Sequence, residues 1–429
     1  MKKLGVFCFV LFFMLLLGAC QEPSSSSAPT DKDQDQGEVN ESQDEQSELN
    51  FSQGITDDEI LIGHIGPQTG PAGFYDYVRQ GIDMYFKYIN ENGGVDGRQL
   101  KLVAYDDQYQ PARTVQMASR IVEEDKVFSI LGPICSPCIA AVKDYYQEVG
   151  IPILLMQAGA KEFVDPPISN FFGAGLVNYR YEAKVLLDYA VNELDAQKIA
   201  VVYQNDDFGK EGLNGVLEGI DNYSNAEIVA EITYVSGDTD LSSQAQRLSQ
   251  SGAEAVIVYG LSNPVASFKR EMHRIGLTDV AFLTSAVANS PEQFSLAGDD
   301  VWNGTYGAQF LPLPDFESED EHMQLFLERY SADYSDNSPL NTVHVGWTLG
   351  EVLFEALKRT GPELNWDNFT EALYTFDNWD GSFFEGVTFT PDNHYGITSL
   401  YISQAINGEL QRVTGTITFD PNTGDITYE

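Results

Sequence analysis

Positive charge is scarce in this chain: 24 Lys and Arg stand against 65 Asp and Glu in 429 residues, a formal net charge of −41. Nucleic acid is thereby excluded as a partner, because binding it requires a basic footprint that displaces counterions from phosphate. Setting aside the first fifty residues, which hold three lysines and nine acids, still leaves −35 on the remainder. Such a surface keeps a protein soluble at a cost in self-repulsion. Histidine is equally sparse, and His64, His273, His322, His344 and His394 share no spacing that would build a metal site. The chain has no Walker A loop, no G-x-S-x-G, no H-E-x-x-H and no G-x-G-x-x-G after a strand-like run, so no catalytic motif is in view. Carboxylates are so abundant that no pair of them is informative. Cysteine occurs four times, at Cys8, Cys20, Cys135 and Cys138, and no apolar run after residue 19 is long enough to cross a bilayer.

The chain opens with Lys2 and Lys3, an apolar stretch from Leu4 to Ala19, and Leu17-Gly18-Ala19-Cys20. A basic start, an apolar core shorter than a ~20-residue span and small residues at its end make a secretory signal. The last four residues resemble the lipobox of bacterial lipoproteins, which implies a signal peptide over 1–19 and a diacylated Cys20. The alternative is an ordinary signal peptide with an incidental cysteine. From Gln21 to Asn50 large apolar residues are almost absent. Such a segment cannot bury enough surface to offset its ordering entropy, so residues 20–51 read as a disordered acidic tether. With Cys8 lost and Cys20 lipidated, Cys135 and Cys138 remain, in a compartment where a disulfide persists.

From Phe51 onward, strand-like runs alternate with amphipathic helical stretches, the pattern of parallel α/β sheets. Strands are predicted at Ile60–Ile65, Leu100–Tyr105, Val127–Leu131 and Ile151–Met156, with helices Tyr77–Asn92, Ala112–Glu124 and Ile139–Glu148 between them. A second set follows, with strands Ile199–Tyr203, Glu227–Tyr234, Ala255–Tyr259 and Ala281–Thr284. Its helices are Tyr181–Glu193, Gly212–Tyr223, Leu241–Gln250 and Pro264–Ile275. Helix-rich segments Asp320–Tyr334, Thr342–Thr360 and Trp366–Tyr374 come next, and β-like segments at Val387–Thr390, Ser399–Ile406 and Thr416–Phe419 close the chain. Ligands of open α/β sheets bind beyond the carboxyl ends of the strands.

An ordered set of loops carries a resemblance: Thr69-Gly70-Pro71, Gln80-Gly81-Ile82, Asn90 to Arg98 (NENGGVDGR), Tyr105-Asp106-Asp107, Val127 to Pro133 (VFSILGP), Gly150-Ile151-Pro152, and Tyr203 to Lys210 (YQNDDFGK). Together they resemble the leucine/isoleucine/valine-binding family over nearly all of Glu59 to Val413. The resemblance implies an α/β type I periplasmic-binding fold, two Rossmann-like lobes with parallel sheets joined by three crossovers. It places lobe 1 at 52–172 and 312–386, and lobe 2 at 173–311 and 387–429. It further implies a non-enzymatic solute-binding component of an ABC importer that closes by a hinge on a small-molecule ligand. The expected partners are that ligand and an ABC transporter permease. The chain should act as a monomer without cofactor or metal, lipid-anchored through Cys20 at the extracytoplasmic face of the cell envelope. A ligand sensor of the same fold, signalling to a membrane partner, is the alternative.

The loop Leu131 to Ser136 leads from strand to helix, where free backbone N–H groups and the Ser136 hydroxyl can seat a carboxylate. A helix cap alone would also explain Ser136. The resemblance assigns ligand contact to Ser136, Cys135, Gln157, Ala158 and Gly159, with the aromatics Phe74, Tyr75 and Phe208 over the solute. Two departures bear on its identity. Ala286 stands where valine-type members carry the acid that holds an amino group, and Leu261-Ser262 stands where they carry a tyrosine. The solute is therefore expected to bear a carboxylate and to be either branched-chain-amino-acid-like or an aromatic acid. Family members also bridge the Cys135 position to a cysteine in the loop here reading Gln108-Tyr109-Gln110, which has none. Three readings stay open for the pair: a Cys135–Cys138 disulfide, two free thiols, or a C-x-x-C in exchange or metal chemistry.

Overall fold

The computed structural model describes residues 50–173, 175–334 and 339–429; the signal peptide, Cys20 and all but the last two residues of the tether lie outside them. The first sheet collects β1 (Glu59–Gly66), β2 (Gln99–Asp106), β3 (Ser129–Leu131), β4 (Ile153–Leu154) and β5 (Phe171–Phe172) in the order β2-β1-β3-β4-β5. All its pairings are parallel, and β1 and β2 run in register over eight residues from Glu59 opposite Gln99. Helices α1 (Asp76–Glu91), α2 (Pro111–Ser119) and α3 (Ser136–Val149) make the crossovers.

The second sheet begins after α4 (Tyr179–Asn192). It runs through β6 (Lys198–Gln204), β7 (Glu227–Tyr234), β8 (Ala255–Tyr259), β9 (Ala281–Thr284) and β10 (Tyr306–Gln309). Between these strands lie α5 (Asp207–Ile220), α6 (Ser242–Ser251), α7 (Ser262–Arg274), α8 (Glu292–Ala297) and the single turn α9 (Asp299–Trp302). β8 is buried at every position, as a central parallel strand covered on both faces requires. The chain then returns to the first lobe as α10 (Glu321–Asp333), α11 (Leu340–Thr360) and α12 (Trp366–Leu373), followed by the hairpin β11 (Thr388–Thr390) and β12 (Asn393–Gly396). It ends on the second lobe with β13 (Ser399–Ile406), antiparallel to β10, then β14 (Glu409–Arg412), β15 (Ile417–Phe419) and β16 (Ile426–Tyr428). The chain thus passes between lobes three times, after β5, β10 and β12.

The hairpin corrects one expected boundary. The resemblance places residues 387–396 in lobe 2, yet they extend the first lobe beyond β5. The Gly173 N–H donates to the His394 carbonyl at 2.8 Å, and the His394 ring stacks on Phe172 at 4.6 Å. Phe389 meets Phe172 edge-on at 5.5 Å, so the handover comes between β12 and β13. The expected strand Ile151–Met156 is shorter than its apolar run. Leu155 adopts φ 54°, a left-handed conformation that no strand accommodates, and ends β4 two residues early. Helix Ala112–Glu124 holds α geometry to Ser119 and continues as a π turn over Arg120–Glu124.

Lobe 1 is closed by α11 lying against α1 at backbone distance. A Cβ on Gly81 would overlap the Val343 carbonyl, one on Gly346 the Val78 carbonyl, and one on Gly350 the Tyr85 ring. Trp347 packs edge-on to Tyr85 at 4.8 Å beside this seam. Gly346→Ala is expected to lower unfolding free energy by about 1–3 kcal/mol through overpacking. Gly237→Ala, whose added methyl meets open space, should stay within about 0.5 kcal/mol of wild type. Urea melts of the two variants check this; equal stability would show that α11 shifts without cost.

Candidate ligand cleft

Loops at the carboxyl ends of both sheets enclose a cavity of about 100 Å³ between the lobes. That is room for a small organic solute rather than one or two waters. Phe74 and Tyr75 enter from the β1 loop, Tyr109 from the β2 loop, Ile134 to Ser136 from the β3 loop and Gln157 from the β4 loop. The second lobe contributes Phe208, Leu261, Ala286 to Ser290 in part, and Gln309 to Leu313, while Asn341 to Val345 in part come from the first turn of α11.

Of the expected site residues, Phe74, Tyr75, Cys135, Ser136, Gln157 and Phe208 line this cavity. Ala158 and Gly159 do not. A Cβ on Gly159 would overlap the Val177 carbonyl, and its own carbonyl accepts the Tyr179 N–H at 2.9 Å. Gly159 therefore serves the close approach of the Val177–Tyr179 segment rather than contact with a solute. Tyr75 does more than present a ring. Its hydroxyl accepts the Ser262 N–H at 3.0 Å, lies 3.1 Å from Ser262 Oγ and reaches the Val287 carbonyl at 3.3 Å, joining lobe 1 to the start of α7 and the β9 loop. Phe208 is 2% exposed and packs against Tyr179 at 4.8 Å.

Ser136 is the first residue of α3. Its Oγ is buried without a hydrogen-bond partner; the Tyr179 hydroxyl faces it but completes no well-formed bond. Cys135 precedes it at φ 101° and is joined to Cys138 by a disulfide that ties the start of the helix to the loop. The Cys138 N–H is taken by the Cys135 carbonyl at 3.1 Å, and Pro137 has no N–H. Among the described residues the Ser136 N–H has no backbone acceptor, so this turn leaves one N–H and one hydroxyl unpaired at a residue that lines the cavity. The Gln157 amide donates to the Gly175 carbonyl at 2.8 Å, which fixes its orientation.

Sequence reasoning singled out the β9 loop through Ala286 but missed Tyr109, Tyr179, the β10 loop and the α11 turn. Tyr109 sits at φ 60°, and burial, then the nearby Asp206 carboxylate, push its phenol well above the ordinary value. Gln204 faces it from the opposite lobe and, opposing burial, favours the ionised phenol. Ala286, where an acid was looked for, does have one behind it. Its N–H donates to Glu182 Oε1 at 2.8 Å, and Tyr259 Oη donates to Glu182 Oε2 at 2.9 Å. Glu182 comes from α4, is 2% exposed, and burial pushes its carboxyl up to about 7. It braces the β9 loop from inside lobe 2. Among the described residues lining the cavity, none is Asp, Glu, Lys or Arg. His344 lines it fully buried, and burial lowers its imidazole to about 3, so it is neutral.

Residues 59–409 match the family model described as periplasmic binding protein. An amino acid binding protein of Pseudomonas aeruginosa is 28% identical over 264 residues, 60% of this chain and 69% of that protein. A branched chain amino acid ABC transporter from Thermus thermophilus with bound valine is similar with a TM-score of 0.78 at 22% identity, covering 85% of this chain and 97% of that one. A fatty acid ABC transporter substrate-binding protein from Thermomonospora curvata reaches 0.77 at 19% identity, covering 87% and 95%. At these identities the two structures establish the fold.

Glu182 carries a pH prediction. Its folded value of about 7 exceeds the ordinary 4.5, so the unfolded chain ionises first as pH rises. Its contribution to stability is complete below 4.5 and is lost as pH climbs from 4.5 through 7. The stability difference between wild type and Glu182→Gln should therefore fall by about 3 kcal/mol across that window and then level off. Urea melts stepped in pH measure it; a constant difference would mean that the carboxyl stays ionised throughout.

Proposed function

Because the chain belongs to the periplasmic binding protein family, we propose that it is the solute-binding component of an ABC importer. It acts as a monomer, lipid-anchored through Cys20 at the extracytoplasmic face, and captures a small carboxylate-bearing solute between its lobes. The observation that carries this reading is the unpartnered Ser136 hydroxyl at the start of α3, inside a cavity walled by strand-end loops of both lobes. A helix N-terminus carries the positive end of the helix dipole and unpaired donors, which together suit a carboxylate.

The three passages between lobes supply the hinge. In an open form the Tyr75 hydroxyl and the Ser262 N–H face water; in the closed form they face each other. A solute favours closure only by contacts that it makes better when closed, and the walls contributed by both lobes provide them. The relatives' names do not select among solutes, since similar folds are named for an amino acid, valine and a fatty acid.

A thermal-shift screen of amino acids, aromatic acids, aliphatic acids and amides tests the capture reading. A true ligand at a hundred times its dissociation constant adds about 2.7 kcal/mol, a rise of a few degrees. Tyr75→Phe should weaken that ligand by about five- to thirtyfold, from the loss of one or two interlobe hydrogen bonds worth about 1–2 kcal/mol. A flat response across the whole panel would sink the reading.

A further inference from the structure

An amino acid brings two opposite charges into its site, and this cavity is built for one. No Asp or Glu lines it among the described residues. Three acids near it are committed elsewhere, and a fourth, Glu292, lies behind Ser290 and outside the lining. Glu182 accepts the Ala286 N–H and the Tyr259 hydroxyl, Asp206 caps α5 through the Gly209 N–H at 3.2 Å, and Asp107 holds the Tyr109 N–H and the Thr114 hydroxyl, both at 2.9 Å. Within the lining itself an ammonium would give up water for neutral acceptors alone, and an unpaired buried cation is strongly disfavoured. A carboxylate faces no such loss. The fourteen-residue helix α3 directs its N-terminus at the cavity, with the Ser136 hydroxyl 2% exposed and unpartnered.

A second polar group lies across the cavity. Asn289 Oδ1 and His344 Nε2 are buried without partners, Ser290 Oγ has only the Glu292 carboxyl facing it, and all three residues line the wall. The Asn289 amide is fixed by donating to the Ala308 carbonyl at 3.1 Å and to Ser403 Oγ at 2.9 Å. Ser136 sits beside Tyr179 and Phe208 at the β6 loop, whereas Asn289 and Ser290 follow β9. Strand order β6-β8-β9 separates the β6 and β9 loops by two strand spacings, roughly 10 Å at ~4.8 Å per strand. Between the two polar ends the wall is apolar, with Val78, Leu261, Val287 and Phe310.

Resting on the capture reading above, we propose that the solute is a carboxylic acid without an ammonium group, with an apolar or aromatic body and a neutral hydroxyl or carbonyl at its far end. Ser136 receives the carboxylate, and Ser290 with Asn289 and His344 receives the far group. One residue can contradict this. Glu292 stands beside Ser290 with Oε2 buried and unpartnered; burial pushes its carboxyl up against the opposing Ser290 hydroxyl and Asn341 amide.

The test is calorimetric titration of the full chain, purified in detergent, with acids that differ only in the amino group. The pairs are 3-(4-hydroxyphenyl)propanoate against tyrosine, and 4-methylpentanoate against leucine. The deamino member is expected to bind at least about tenfold more tightly in either pair that binds, because only the amino acid buries an uncompensated cation. Ser136→Ala should weaken it by about tenfold or more, with the unliganded melting temperature unchanged. Ser290→Ala should weaken the hydroxylated acid and leave 4-methylpentanoate unaffected. An amino acid binding as tightly as its partner, with that parity lost in Glu292→Gln, would overturn the class and leave capture standing. Silence from both pairs would overturn the class as well, and capture falls with it only if the broad thermal screen is also flat.

Discussion

Lobe 1 is completed by a helix that arrives after the whole of the second parallel sheet has been laid down. α11 and α1 meet through Gly81, Gly346 and Gly350, where a single methyl would strike backbone or ring. Close contact there does two things at once. It buries Trp347 and Tyr85 in the first lobe, and it carries the first turn of α11 to the cavity wall. The three passages between lobes are imposed by the same fact, because a chain that must return to finish lobe 1 has to cross again to finish lobe 2. Parallel sheets covered on both faces then leave the strand-end loops as the free surface on which to build a site.

Charge is partitioned with equal consequence. The exterior carries most of the acids, and many of the few cations are tied up in partly exposed pairs such as Arg180 with Glu211 and Glu218, or Arg79 with Asp76 and Asp83. Pairs of this kind contribute little stability singly. Their effect is to leave an acidic surface with few unpaired positive charges among those named. A negatively charged solute therefore approaches against the protein's own field, and its entry is faster as salt screens that field.

Much of the architecture was legible because periodicity is local. α1 shows its apolar face as Val78, Ile82, Tyr85, Phe86 and Ile89, and Gly93-Gly94, both at positive φ, ends it. Ser136 and Cys135 were legible as the strand-to-helix turn after β3. The pairing of Cys135 with Cys138 was one of three open readings, and the spacing alone did not choose among them. The hairpin β11–β12 was misassigned because a β-like run reads the same whichever lobe it joins; Phe172 and His394 decide it, from opposite ends of the chain. Tyr109 hid in a loop whose backbone turns left-handed at Gln108 and Tyr109, and nothing periodic marks such a turn. Glu182 looked like one more helix acid among many. Only the fold shows that it supports Ala286, where local inspection found no acid at all.

The Tyr75 hydrogen bonds form between protein groups alone. On the hinge-closing reading proposed above, each lowers the free energy of the empty closed shape as much as that of the filled one. A partner that reads only the closed outline must tell full from empty by the increment that the cargo adds. The stronger this clasp, the smaller that increment is as a fraction of the whole, and the more often an empty carrier passes for a loaded one. Clasp strength is thus a compromise between retention and idle engagement, set by one phenol.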